Sequence, residues 1–313
     1  MKNLQFLLAG LLATSVSLWS CSRPAEIESA TPSKPEAGGT YSWMHRITVN
    51  RDVPYGDTLE QRLDLYLQGS WTGEPTFFEL APGRRPTLLF IHGGGWVARD
   101  RRPEPWFYPF VEQGWHVVNM TYRLGHGTAP LAVDDAVCAL KWITQNANEH
   151  RFDLDKVVVA GVSAGGHLAL MSGILGSRPG HDCYPGNDFR VQSIINWFGI
   201  TDIEAVEEFL AAADPEFGNY ALAWIGDESR VAQISAAYSP VNILDEQSPP
   251  VLTLHGTKDQ VVPFAQAVAL HDRLETLGIR NELLSLEGGT HAGFTDTQFD
   301  RAFTAMLEFV ATN

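Results

Sequence analysis

The run Gly161-Val162-Ser163-Ala164-Gly165-Gly166 follows an apolar strand-like stretch, 156–160, and precedes an apolar helix-like one, 167–175. A Gly-x-Ser-x-Gly sequence at a strand-to-helix turn is a nucleophile elbow. The turn is so tight that side chains two positions either side of the serine would collide, and Gly161 and Gly165 remove that collision. Ser163 then stands at a helix N-terminus, where the backbone dipole favours developing negative charge. A serine hydroxyl attacks only when a base takes its proton. His291, in Glu287-Gly288-Gly289-Thr290-His291-Ala292-Gly293-Phe294, is the candidate base, because a loop after the last strand-like stretch reaches the same sheet edge as the elbow. The base needs a carboxylate to hold its tautomer and stabilise the imidazolium. Asp259, in Gly256-Thr257-Lys258-Asp259-Gln260-Val261-Val262-Pro263, fits, and gives the chain order Ser, Asp, His. Asp202, one strand earlier, is the rival acid; the same residue also suits a helix N-cap.

A third element lies upstream. His92-Gly93-Gly94-Gly95-Trp96 directly follows the apolar stretch 87–91. A tetrahedral acyl-transfer intermediate needs backbone N–H groups aimed at one oxygen, and glycines let the backbone come that close. Gly94, Gly95 and Ala164 are the expected oxyanion donors, with His92 organising the loop. Among the other histidines, His167 reads as a packing or capping residue one turn into the helix, and His255 ends a strand within the acid motif.

These residues need a scaffold that brings distant loops to one edge. Short alternating runs at 47–49 and 63–67 suggest an opening antiparallel pair. Strand-like runs at 87–91, 116–122, 157–160, 191–197, 251–255 and 283–286 then alternate with helix-like stretches at 106–112, 131–148, 165–175, 264–277 and 297–311. That rhythm implies an α/β fold with a mostly parallel central sheet and right-handed crossovers. The strands are apolar on both faces, so helices should cover both. Residues 201–244 hold helical pieces and no strand, at the sheet end where open α/β folds bind ligands. The segment reads as a small helical lid or cap, or as a packing excursion without a role in access. Trp96, Trp197, Phe198, Trp224 and Phe294 are pocket-lining or core aromatics.

The chain has 313 residues, enough for one large domain over 41–313, with 44% apolar residues and a net charge of −15. Such an acidic surface repels phosphate backbones, so nucleic acid is excluded as a partner. Lys2 and the apolar stretch 4–18 have the length of a signal-peptide core, short for a membrane span. Leu18-Trp19-Ser20-Cys21 resembles a bacterial lipobox, with Trp19 as the departure. Residues 1–21 thus read as an export signal, of lipoprotein type with Cys21 lipidated or else cleaved nearby, and the Pro/Ala/Glu/Ser-rich segment 22–40 as a flexible tether. The expected location is outside the cytoplasm, with membrane contact only through the lipid anchor. Cys138 sits in an amphipathic stretch and reads as packing; export also permits it to pair with Cys183. No Cys/His spacing suits a metal, and no cofactor motif is present.

The motifs around His92, Tyr122-Arg123-Leu124, Ser163, His255–Pro263 and His291, together with Tyr55-Gly56-Asp57 and Leu63-Asp64-Leu65-Tyr66, resemble bacterial α/β-hydrolase esterases related to the bifunctional feruloyl and acetylxylan esterases. The hormone-sensitive-lipase-like esterases share the HGGG loop but differ in the acid motif and carry an N-terminal helical cap. The resemblance implies hydrolysis of carboxylic esters, with acetyl or feruloyl groups on plant polysaccharide as substrates. Arylformamidases and the hydrolase half of prolyl-oligopeptidase-type peptidases have similar motifs and act on amides. A binding protein on an inactive hydrolase scaffold is the non-enzymatic alternative; such proteins have usually lost the serine or the histidine.

Overall fold

The computed structural model describes residues 46–71, 78–98, 101, 105–213 and 218–312. The expected leader, Cys21 and the tether lie outside these residues.

The chain opens with β1 (Ile47–Pro54) and β2 (Arg62–Trp71), an antiparallel pair with an irregularity between Asn50 and Val53. A short β3 (Phe78–Leu80), not expected from the sequence, pairs with β2. Then come β4 (Arg85–Ile91), α1 (Tyr108–Glu112), β5 (His116–Met120), α2 (Leu131–Gln145), α3 (Ala147–His150), β6 (Phe152–Val162) and α4 (Ala164–Gly176). The strand β7 (Ser193–Trp197) precedes four helices, α5 (Ile203–Ala212), α6 (Tyr220–Ile225), α7 (Val231–Tyr238) and α8 (Pro240–Ile243). The chain ends with β8 (Val251–Gly256), α9 (Ala265–Thr276), β9 (Asn281–Leu286) and α10 (Asp296–Ala311). The strand order is β1-β2-β5-β4-β6-β7-β8-β9, antiparallel at β1-β2-β5 and parallel from β5 to β9.

The alternation of side chains along each strand builds two cores. Leu89, Ile91, Val157 and Val159 face one side, with α2, α4, the 203–243 helices and α9; Leu88, Phe90, Val158 and Ala160 face the other, with α1 and α10. Because both faces are covered, β5, β7 and β8 are buried along their whole length, and their polar residues, among them Asn119, Asn196, Thr253 and His255, are buried with the apolar ones. The helix α4 is apolar nearly all round because it packs on the sheet and is roofed by α2 and α8. The helix α10 begins one residue earlier than expected, at a capping box in which Thr295 and Gln298 satisfy each other's backbone N–H.

Cys138 is not simple packing. It is half-buried on α2 and forms a disulfide with Cys183, 45 residues on, with the Cα atoms 4.8 Å apart. The bond ties α2 to the 177–192 loop beside the His181–Asp134 contact at 3.1 Å. Replacing Cys138 by Ser should lower unfolding free energy by about 2–4 kcal/mol, as measured by urea denaturation.

His167, on α4, is buried between Trp96, whose indole N–H donates to Nδ1 at 3.2 Å, and the Tyr238 carbonyl, which accepts from Nε2 at 2.7 Å. Burial lowers its pKa to about 4. Burial, with Arg85 nearby, does the same to His116, also to about 4. The unfolded chain protonates these rings below about pH 6.5, whereas the fold resists until about 4. The stability present above pH 6.5 is therefore lost as pH falls through that window, at up to about 1.4 kcal/mol per pH unit per ring. In urea titrations from pH 7 to 4.5, His167→Gln should show a shallower fall than the wild type by about that slope; an unchanged slope would mean that His167 is not held neutral.

Candidate active site

The structure brings Ser163, His291 and Asp259 into one hydrogen-bonded chain. Ser163 Oγ donates to His291 Nε2 at 3.1 Å, and His291 Nδ1–H donates to Asp259 Oδ2 at 2.8 Å. Ser163 is the turn residue between β6 and α4, with φ 56° and ψ −123°, a conformation that is strained for a residue with a side chain. The tightness of the turn is measurable. A Cβ on Gly161 would lie 2.1 Å from the Gly165 carbonyl oxygen, and one on Gly165 would lie 2.1 Å from that of Ile91. Ser163 N–H donates to the Trp197 carbonyl at 2.9 Å, which ties the elbow to the neighbouring strand β7.

Asp259 follows β8 in a loop that turns back on itself. Its Oδ1 accepts from the amides of Val261 and Val262 at 2.8 and 2.9 Å. Its side chain has no exposed surface. Burial alone would raise its pKa; hydrogen bonds from His255 and His291 and the Val262 amide, with the His291 charge, outweigh burial and hold the carboxyl well below the usual range. The loop carrying His291 is fastened to the loop carrying Asp259, since Lys258 N–H donates to Gly289 O at 2.9 Å and Gly288 N–H to Thr257 Oγ1 at 2.9 Å. Asp202 stands elsewhere in the chemistry. Its carboxylate caps α5 by accepting from Ala205 N–H at 3.1 Å.

The His92–Trp96 loop lies against the elbow. A Cβ on Gly93 would come 2.9 Å from the Val162 carbonyl oxygen and 3.1 Å from Ser163 Cβ. Gly94, Gly95 and Trp96 all have positive φ, at 116°, 58° and 58°. The Gly94 carbonyl accepts from Val97 and Ala98 within this turn, whereas the N–H groups of Gly94 and Gly95 donate to no backbone carbonyl among the described residues. Ala164, the first residue of α4, likewise has no carbonyl a turn behind it within the helix. His92 does organise the loop: its ring stacks on Tyr122 with centroids 4.5 Å apart, its Nδ1 bonds the Gly93 carbonyl at 2.7 Å, and Tyr122 Oη donates to the His92 carbonyl at 3.0 Å.

Four residues contribute in ways the sequence did not show: Trp96 and Phe198 read there only as pocket-lining or core aromatics, His255 only as the end of a strand, and Tyr220 carried no signal. Trp96 stacks on Trp224 of α6 with centroids 4.4 Å apart, so the 203–243 helices clamp the glycine loop. Tyr220 of α6 packs on Gly95, where a Cβ would be 2.8 Å from Tyr220 Cβ, and its Oη donates to the Val261 carbonyl at 3.1 Å. It therefore links the glycine loop to the Asp259 loop. Phe198, with φ 38°, sets its ring edge-on to His291 at 4.7 Å. His255 Nε2 lies 3.2 Å from Asp259 Oδ2. Its signal was present as a histidine four residues before the acid at the end of β8. The others carry no local pattern, because their partners are distant in sequence.

The aromatics offered as pocket lining, Trp96, Trp197, Phe198, Trp224 and Phe294, are all buried and belong to the core. The arrangement as a whole can pass a proton from a hydroxyl to an imidazole backed by a fixed negative charge, beside amides free to meet an oxyanion.

Residues 79–274 match the BD-FAE family. Esterase LipQ of Mycobacterium tuberculosis is 29% identical over 270 residues, covering 83% of this chain and 59% of that protein; the chain thus spans about three-fifths of this curated relative. A truncated carbohydrate esterase from gut microbiota superposes with a TM-score of 0.68 at 22% identity, covering 86% of this chain and 96% of that one. A bifunctional GH43-CE protein of Bacteroides eggerthii gives 0.65 at 25% identity, over 84% of this chain and 35% of that one. With the family match spanning more than half of its length, this chain belongs to the BD-FAE family and has the α/β-hydrolase fold.

Proposed function

We propose that this protein is a serine carboxylesterase that cleaves esters of small acyl groups through an acyl-enzyme. The observation that carries the reading is the continuous Ser163–His291–Asp259 chain, at 3.1 and 2.8 Å. In the first step Ser163 Oγ attacks the ester carbonyl carbon while its proton passes to His291 Nε2. The carbonyl π electrons move to the oxygen, where the amides of Gly94, Gly95 and Ala164 receive the charge. Collapse breaks the bond to the alcohol oxygen, which leaves with the proton from His291. A water molecule then gives His291 a proton as its oxygen attacks the acyl carbon; collapse breaks the bond to Ser163 Oγ, which takes that proton from His291, and the carboxylic acid is released. Asp259 stays ionised throughout and holds the ring with Nε2 facing the serine.

The acyl group is inferred to be small, acetyl above feruloyl. The large aromatics near the site are packed into the core, so they offer no open face to a feruloyl ring. Membership of the BD-FAE family and the neighbouring carbohydrate esterase support esters on plant polysaccharide as the natural substrate. Export, with Cys21 as a lipid anchor, is part of the same reading; the Cys138–Cys183 disulfide supports it, because such bonds persist in oxidising compartments.

Ser163→Ala should lower kcat on p-nitrophenyl acetate by roughly 10⁴–10⁶-fold with the fold intact by circular dichroism, and should abolish labelling by a fluorophosphonate. Asp259→Asn should cost roughly 10⁴-fold, while Asp202→Asn, which preserves a good N-cap, should leave activity near wild type. The reverse ranking would assign the acid to Asp202. A panel of p-nitrophenyl acetate, longer acyl esters, methyl ferulate, acetylated xylan, N-formylkynurenine and a proline-linked anilide tests the substrate class. The acetyl esters should be cleaved fastest; faster cleavage of either amide would replace the esterase reading with an amidase one.

A further inference from the structure

We propose that His255 is a positioning residue for the acid of this site, so that the working unit is a His255–Asp259–His291 array rather than a triad alone. The inference deepens the esterase reading and rests on it. The Asp259 carboxylate has four strong acceptor positions on its two oxygens. Oδ1 takes the two amides of Val261 and Val262, at 2.8 and 2.9 Å. Oδ2 takes His291 Nδ1 at 2.8 Å, and the remaining position faces His255 Nε2 at 3.2 Å. With three positions bonded and the fourth facing His255, the carboxylate is held against turning away from His291.

The tautomer of His255 follows from its surroundings. Nε2 sits 2.9 Å from the Val262 carbonyl as well as 3.2 Å from Asp259 Oδ2, and both are acceptors, so Nε2 carries the hydrogen and shares it between them. Nδ1 has no hydrogen-bond partner in a fully buried ring that lies among Phe198 and Phe264. A proton on Nδ1 would be a buried donor with no acceptor and would strip Asp259 and Val262 of theirs. The shared N–H also closes the turn, since Val262 gives its own N–H to Asp259 Oδ1 and its carbonyl takes the His255 N–H.

The electrostatic consequence concerns Oδ2. His291 bonds it directly, His255 Nε2 faces it at 3.2 Å, and Tyr220 of α6 interacts with the same carboxylate. A donor on Oδ2 draws part of its negative charge away from His291. Without that donor, Oδ2 is a stronger acceptor toward His291. The carboxylate also gains freedom to turn.

The test uses the full chain with p-nitrophenyl acetate. His255→Phe keeps a buried ring and removes the N–H; His255→Gln keeps an N–H at comparable reach. The Phe variant should lose roughly 10–100-fold in kcat with little change in KM. The acid limb of its kcat/KM profile should move to higher pH. The Gln variant should recover most of kcat and return the limb toward wild type. The proposal is overturned if both variants track thermal stability alone with the pH profile unmoved. A wild-type measurement stands beside the variants: ¹⁵N spectra of histidine-labelled protein should show His255 protonated at Nε2 and bare at Nδ1, and the opposite tautomer overturns the proposal without any variant. If wild type is inactive, or Ser163→Ala retains activity, the esterase reading fails; if those controls behave and His255→Phe matches wild type, the array alone fails.

Discussion

A carboxylate with no exposed side-chain surface must be compensated by hydrogen bonds on every side or give up its charge, and Asp259 is the group on which that constraint falls. The requirement shapes a good part of the C-terminal half of the protein. The 257–262 segment curls so that two consecutive amides meet one oxygen, and the end of β8 presents an imidazole to the other. The loop after β9 is then stitched to this curl through Lys258, Thr257 and Gly289, which puts His291 where only one of its nitrogens can reach the acid. The direction in which the second nitrogen points, toward Ser163, is a consequence of that stitching. The base is placed by the acid, and the acid by backbone that has no other use for its donors.

The other half of the site is held by strain. Among the described residues six non-glycine positions have positive φ, and four of them, Trp96, Ser163, Phe198 and Ala292, lie on the loops that meet at the elbow. Each such residue costs about 1–3 kcal/mol and persists only where its surroundings leave no alternative. The surroundings are visible. Trp96 is caught between Trp224 and His167, Ser163 between two glycines that touch backbone, and Phe198 by the bond from its N–H to the Leu254 carbonyl. This gives the 203–243 helices a defined part. Tyr220 and Trp224 bear on the glycine loop directly, and Gly127 N–H and Ala129 N–H are bonded to the carbonyls of Ala223 and Trp224. Helices fastened in this way brace the site.

Much of this was legible in the residues, and the reason differs for each part. The elbow declares itself because the glycines at 161 and 165 are demanded by contacts at 2.1 Å, and such a demand writes itself into local sequence. The strands declare themselves because burial on both faces places apolar residues at neighbouring positions in short runs. Asp202 could be separated from Asp259 because a carboxylate before a helical run has a common alternative use, and the structure finds it in that use. The legible part stops where the cause is non-local. Nothing near Cys138 indicates that Cys183 lies opposite it, since the half-buried α2 position looks the same whether or not a partner waits across the gap. β3 was missed because three residues are too few to show a period. The site aromatics read as ligand surface or as core alike, because type alone does not separate a buried indole from an open one.

The exposure of the three central side chains follows their tasks. The Asp259 side chain is sealed and that of His291 keeps 19% of its surface, while Ser163 and Asp259 are each 9% exposed as whole residues. A fixed negative charge acts most strongly where water cannot screen it, so the acid gains from complete enclosure. The imidazole must give its proton to a departing alcohol and take one from water, so it cannot be sealed in the same way. The hydroxyl needs only the width of one approaching carbonyl. A gradient from dry acid to partly open base is therefore what sequential proton transfer asks for. It is produced here by three loops that meet at one sheet edge, with the Phe198 ring packed against His291 at 4.7 Å.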